Sequence, residues 1–258
     1  MVSHLRRLGF IVGGVQKAGT TSLFGYLKDH PALLAPTRKE LHHFDNEALD
    51  WSSPPTSALD GFFPEPAAGR IAFDVTPIYL FWPPSLERIK AYDPHMKLIF
   101  IFRDPIERAW SHWRMETARH LETLPFSVAI RQGRWRLRDA PPLDPAWRVY
   151  SYVERGFYGS QLARLFALFA PENVLLLRAD DLKTQHERVL SQIADFLELP
   201  PFPSLAPRLD HRGENSKSPV PMEDADHLRE VFRDEVIEFS RLSGLPVADW
   251  LTRKGATA

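Results

Sequence analysis

The 258-residue chain contains no cysteine. That excludes a disulfide framework and any thiolate metal site, and it fits a reducing compartment. No apolar stretch approaches the roughly 20 residues that a bilayer-spanning helix needs. Arg6 and Arg7 precede the apolar run Leu8–Val12, but Gly13 and Gly14 break that run too soon for a signal peptide. Net charge is almost absent: 32 Lys+Arg against 33 Asp+Glu give a formal −1. Overall attraction to nucleic acid or to an anionic membrane is therefore missing. The expectation is a soluble, cytoplasmic protein with no nucleic-acid partner and no membrane span, its oligomeric state left open. Repeats and low-complexity tracts are also lacking, and 44% apolar with 25% charged residues is ordinary globular composition.

What is present reads as one α/β domain over residues 1–258. Four short apolar runs, Leu8–Val12, Arg70–Val75, Lys97–Phe102 and Asn173–Leu177, do not alternate with polar residues. Strands covered on both faces by helices have that pattern. Helical periodicity falls between and after them, at Thr20–Asp29, Ser85–Tyr92, Pro105–Arg119, Tyr158–Phe169, Gln185–Glu198 and Glu223–Ser243. The alternation predicts a three-layer, P-loop-like fold with a mostly parallel central sheet flanked by helices. The 23 prolines mark stiff loops, and Pro141–Pro145 is read as a loop within the domain, not a boundary.

Phe10–Leu23, F-I-V-G-G-V-Q-K-A-G-T-T-S-L, carries the strongest signal. An apolar run enters a glycine- and hydroxyl-rich turn and a helix follows, which presents backbone N–H groups to a phosphate. On the G-x-x-x-x-G-K-[ST] template, Gly14 and Gly19 take the glycine positions. Thr20 stands where an NTPase carries lysine, and Lys17 lies inside the loop. A phosphate is expected here, but not in the usual ATPase manner. A nucleotide or small-molecule kinase should show lysine at position 20 and need magnesium. A non-catalytic nucleotide-binding module remains the other alternative.

A second constellation follows the third run: Arg103-Asp104-Pro105-Ile106-Glu107-Arg108-Ala109-Trp110-Ser111. Pro105 suits a first helical position and Asp104 the N-cap before it. Arg103 then sits at the strand end, where a guanidinium fork suits a second phosphate. Pairing of Arg103 with a surface carboxylate is the plainer alternative. Charge is concentrated nearby: from Lys97 to Arg148, ten Lys/Arg stand against six Asp/Glu, an excess of four. Within it, Arg134 and Trp135 belong to a run of basic residues around a tryptophan. That run reads as an acceptor-binding surface for an acidic or sugar-containing molecule, or as a solvated helix face.

The lysine loop and the R-D-P-x-x-R-x-x-S motif together resemble the PAPS-dependent sulfotransferases, in the carbohydrate (heparan-sulfate-type) branch and its bacterial relatives. The resemblance spans about residues 8 to 250. It implies PAPS (3′-phosphoadenosine 5′-phosphosulfate) as donor and 3′,5′-ADP as product. Gln16, Lys17, Ala18, Gly19, Thr20, Thr21 and Ser22 would surround the 5′-phosphosulfate, with Arg103 and Ser111 at the 3′-phosphate. Thr37–Asp45 matches that branch's K-E-x-H-x-F-D string, placing Glu40 as the base, His42 as a further catalytic position and Asp45 near the acceptor. The chemistry agrees: an acceptor hydroxyl loses its proton as it attacks sulfur, and a carboxylate takes it. Lys17 would stabilise charge growing on the leaving phosphate.

Several of these residues also have a plainer role open to them. Glu40 could be a surface residue paired with Lys39 or Arg38, and His42 could be simple packing. Phe73–Tyr79 resembles the branch's acidic-Lys-[ST]-Pro segment, with Val75 in place of the lysine. Asp74 there is read either as an acceptor contact or as a turn residue. Tyr158, in Arg155-Gly156-Phe157-Tyr158, and Lys217 resemble further cofactor contacts. No metal is expected, because a lysine fills the cation role and no acidic Walker-B position exists. The acceptor, a glycan or another small hydroxylated molecule, is not identified.

Overall fold

The computed structural model describes residues 7–54, 59–64, 69–208 and 218–252. In chain order the elements are β1 (Leu8–Gly14), α1 (Thr20–Lys28), β2 (Leu33–Leu34), β3 (Ile71–Val75), α2 (Pro83–Tyr92), β4 (Lys97–Phe102) and α3 (Pro105–Ala118). Three single-turn helices follow, α4 (Phe126–Ala129), α5 (Trp135–Arg138) and α6 (Ala146–Val149). Then come α7 (Tyr158–Leu168), β5 (Val174–Arg178), α8 (Ala179–Thr184), α9 (His186–Leu197), α10 (Met222–Ser243) and α11 (Asp249–Thr252). The chain divides into two compact units, Met1–Phe102 with Leu165–Asp210, and Arg103–Arg164 with His211–Ala258.

The first unit holds a five-stranded sheet of order β2-β3-β1-β4-β5, with every pair parallel. The expected α/β class with a parallel sheet flanked by helices is what the chain adopts. β1 is central because it is apolar on both faces: Phe10, Ile11 and Val12 are buried, as is all of Leu98–Phe102 in β4. Gly13 lets these two strands approach. A Cβ there would lie 2.7 Å from the Phe100 ring. α9 closes its side of the layer with a stripe of Val189, Leu190, Ile193, Ala194 and Leu197, the spacing of a helix with one buried face. The chain leaves β1 toward β2 and leaves β4 toward β5, so connections diverge between these neighbours. Ligands in such sheets bind at the carboxyl ends of the strands at that switch.

In the second unit α10 runs for 22 residues and ends at left-handed Gly244. Its Phe239 stacks on Trp250 at 5.6 Å, and Tyr158 packs against both rings. Two expectations shift. The two-residue strand β2 was not anticipated, and neither was the short helix α8, which carries Asp180 and Asp181 in its first turn. Among the described residues no helix is long and apolar enough to cross a membrane.

Candidate active site

The β1–α1 turn is built for an anion. Val15 N–H donates to Ile101 O at 2.9 Å, so the strand direction persists past Gly14. The chain then turns through Lys17 at φ 71° and Gly19 at φ 94°. Gly19 is the N-cap of α1, among the described residues no side chain caps that terminus, and no acidic residue sits in the first turn. A Cβ on Gly19 would meet no described residue within 4 Å, so on this side the turn is open. An uncapped helix start without a carboxylate is a favourable place for phosphate. Gln16, Lys17 and Thr21 are half-buried and can reach a ligand with their side chains. Thr20 and Ser22 are buried, leaving the backbone as their means of contact. Ala18 departs from expectation: its side chain is buried and its N–H donates to Val15 O at 3.2 Å, so it shapes the loop and offers no donor.

The neighbouring strand end carries the carboxylate. Thr76 N–H donates to Val12 O (3.1 Å) and Leu80 N–H to Gly13 O (3.0 Å), tying the segment after β3 to the end of β1. Leu41 N–H in turn reaches Asp74 Oδ1, and His42 N–H reaches Thr76 Oγ1, both at 3.4 Å. Glu40 and His42 are thereby held on the sheet edge from which the anion turn projects. The Glu40 carboxylate, 37% exposed, contacts the Lys39 ammonium and lies 3.6 Å from His42 Nε2. His42 Nδ1 donates to Asp45 Oδ2 at 2.9 Å.

These contacts set the charges. Burial pushes the Glu40 carboxyl up, but the His42 hydrogen bond and the Lys39 ammonium outweigh it and hold the group down at about 2. Hydrogen bonds to Asp45 and Glu40 raise His42 to about 9 against burial. Near neutral pH the site is thus a carboxylate at Glu40 beside an imidazolium at His42, with Asp45 buried behind the ring. The surface pairing of Glu40 with Lys39 and its partial exposure to solvent are both present in one geometry.

Two expected acceptor contacts are corrected. Asp45 and Asp74 have no exposed surface. Asp45 anchors His42, and Asp74 accepts hydrogen bonds from Thr76 Oγ1 (2.8 Å) and Tyr79 OH (2.6 Å). Neither can touch an acceptor. Tyr79 was missed from sequence: an aromatic after a strand reads as core, and only the fold reveals its hydroxyl under residues 43 and 44.

The second motif forms its expected cap. Asp104 accepts from Ile106 N–H (2.8 Å) and Glu107 N–H (3.4 Å), and Pro105 opens α3. Arg103 forks onto Glu107 through Nε (3.1 Å) and Nη2 (2.8 Å), and Ser111 is half-buried on the same helix. Tyr158 is buried, with its hydroxyl donating to Arg103 O at 3.0 Å. Its side chain fixes the Arg103 backbone and does not face a cofactor, which corrects that expectation. Lys217 lies outside the described residues.

The basic run around Trp135 borders a cleft of about 720 Å³ that also includes Arg131, Arg138 and Trp147. Trp135 is 61% exposed. Arg134 is paired with Glu154 (2.7 Å) and Arg131 with Asp224, so much of the expected positive charge is already balanced.

An uncapped helix start at the carboxyl edge of a parallel sheet, with an ionised carboxylate on the same edge, defines an α/β protein with a turn shaped for an anion. The chain belongs to the sulfotransferase domain family, which it matches over residues 9–241. It is 25% identical over 284 residues to the human bifunctional heparan sulfate N-deacetylase/N-sulfotransferase 3, covering 95% of this chain and 31% of that protein. It is 29% identical over 194 residues to the mouse heparan sulfate glucosamine 3-O-sulfotransferase 6, covering 73% of this chain and 52% of that one. The chain thus spans about a third to a half of the curated relatives it matches. A sulfotransferase from Alicyclobacillus acidocaldarius has the same fold, with a TM-score of 0.79 at 22% identity, covering 95% of this chain and 98% of that one.

Proposed function

We propose that this protein moves a sulfuryl group from PAPS to a hydroxyl, or less readily an amine, of a carbohydrate-like acceptor. The observation that carries the reading is the pairing of an open, uncapped α1 terminus with the ionised Glu40 on one sheet edge. The turn fits the donor: backbone N–H groups of an uncapped first turn and the Lys17 ammonium suit a phosphate. PAPS, when bound, supplies the activated sulfuryl group.

In this reading Glu40 accepts the acceptor's proton, His42 orients Glu40, and Lys17 balances charge on the departing phosphate. Arg103 and Ser111 are the phosphate contacts that select PAPS over ATP, with Arg103 exchanging Glu107 for the ligand. The printed names of the relatives, which concern heparan sulfate, support a carbohydrate-like acceptor. Thr20 at the NTPase lysine position weighs against a kinase.

Calorimetry with 3′,5′-ADP, ADP and Mg·ATP, followed by transfer from labelled PAPS to a panel of glycans and small alcohols, tests the reading. Binding of 3′,5′-ADP with transfer to a sugar hydroxyl upholds it. Binding of Mg·ATP without 3′,5′-ADP overturns it.

A further inference from the structure

Four successive backbone amides, those of Leu41, His42, His43 and Phe44, donate to three side chains from the end of β3 and the segment after it. Leu41 reaches Asp74 Oδ1 (3.4 Å) and His42 reaches Thr76 Oγ1 (3.4 Å). His43 and Phe44 both reach Tyr79 OH (3.1 and 3.5 Å). All three side chains are buried completely. The segment they hold contains two residues in left-handed conformation, Glu40 at φ 63° and His42 at φ 53°. Residues with a Cβ adopt that conformation unfavourably, so something outside the segment must maintain it.

The polarity of this arrangement comes from one group. Thr76 and Tyr79 each donate their hydroxyl proton to a different oxygen of Asp74. Their lone pairs are therefore left to face the amides of residues 42 to 44. A carboxylate accepts both protons, whereas an amide in its place would donate to one hydroxyl and reverse it. Fully buried polar networks of this kind rigidify what they touch.

We propose that Asp74, Thr76 and Tyr79 are positioning residues that hold Glu40 and His42 in their reactive geometry. This rests on the reading of Glu40 as the base. Burial pushes the Asp74 carboxyl up, while the two hydroxyls and the Leu41 amide oppose it. The charged groups around His42 are Glu40, Asp45 and Asp74, with Lys39 on Glu40.

Tyr79→Phe keeps the ring that packs edge-on against Phe44 at 5.6 Å and removes only the hydroxyl. It and Asp74→Asn should lower kcat about 10²-fold. The KM for PAPS and the affinity for 3′,5′-ADP should stay within about twofold. Thr76→Val should fall likewise, and Thr76→Ser should restore most of the rate. In a Glu40→Gln background Tyr79→Phe should cost little more, because the two act through one group. Multiplying losses would overturn the proposal.

Titration of His42 by NMR gives a readout independent of turnover. In Tyr79→Phe its midpoint should drop toward the ordinary imidazole value as contacts with Asp45 and Glu40 loosen. An unmoved midpoint in the folded variant overturns the proposal whatever the rate does. If Glu40→Gln alone leaves turnover intact, the base reading fails, and a shifted His42 midpoint still upholds the positioning role.

Discussion

Asp45, which has no exposed surface, accepts a 2.9 Å hydrogen bond from Nδ1 of His42, whose side chain is 45% exposed. A buried carboxyl group thus orients an imidazolium that reaches the surface, and the other ring nitrogen turns toward Glu40. The line runs from core to solvent through Asp45, His42 and Glu40. Taking away either end changes the proton affinity of the middle.

Glu40→Gln removes the proton acceptor but keeps size and polarity. Turnover with PAPS should fall by roughly 10²–10⁴-fold while 3′,5′-ADP affinity stays nearly unchanged. Single-turnover transfer beside calorimetry checks this. Wild-type turnover would take Glu40 out of the chemistry.

His42 makes stability depend on pH in a defined direction. Its value in the folded protein, about 9, lies above the ordinary 6.5, so folding favours the protonated ring. That contribution is complete below about pH 6.5 and vanishes as pH rises through about 9. Glu40 behaves oppositely: lowered from 4.5 to about 2, it contributes above 4.5 and fades as pH falls through 2. His42→Gln should therefore melt below wild type in mild acid, with the difference closing between about pH 6.5 and 9. Thermal midpoints across that range test it. A constant difference would contradict the raised affinity.

Lys17→Ala should weaken 3′,5′-ADP binding and slow transfer together, because the ammonium is assigned to both the bound and the departing phosphate. Retained affinity in calorimetry would contradict its place in the loop.

Gly13→Ala places a methyl carbon 2.7 Å from the Phe100 ring, where both β1 and β4 are buried. Overpacking of this kind costs about 1–3 kcal/mol. Urea unfolding should show a lower midpoint with an unchanged slope. A neutral result would mean that the ring moves aside freely.

The strands were legible because Lys97–Phe102 and its partners are continuous apolar runs, a pattern that needs no knowledge of neighbours. The cap at Asp104 was legible for a similar reason: its partners are two and three residues away. β2 was not, since Leu33–Leu34 owes its strand character to pairing with Ile71 and Ala72. The same limit applied to Asp74, whose hydrogen bonds reach Leu41, Thr76 and Tyr79. Sequence marked it as chemically interesting and left open whether it faces an acceptor or serves the turn; its burial rules out the first. The left-handed turns at Glu40 and His42 gave no signal either, because neither residue is glycine.

The central place of β1 has a consequence for synthesis. This strand pairs with residues 71–75 on one side and 97–102 on the other, and the sheet is completed by residues 33–34 and 174–178. Every hydrogen-bonded ladder is therefore long-range, which makes folding slow relative to helical proteins of the same size. During synthesis β1 emerges before residues 71–75 and 97–102, with which it pairs. An emerging chain of this kind exposes a bare apolar edge, and shielding by a chaperone should raise its yield.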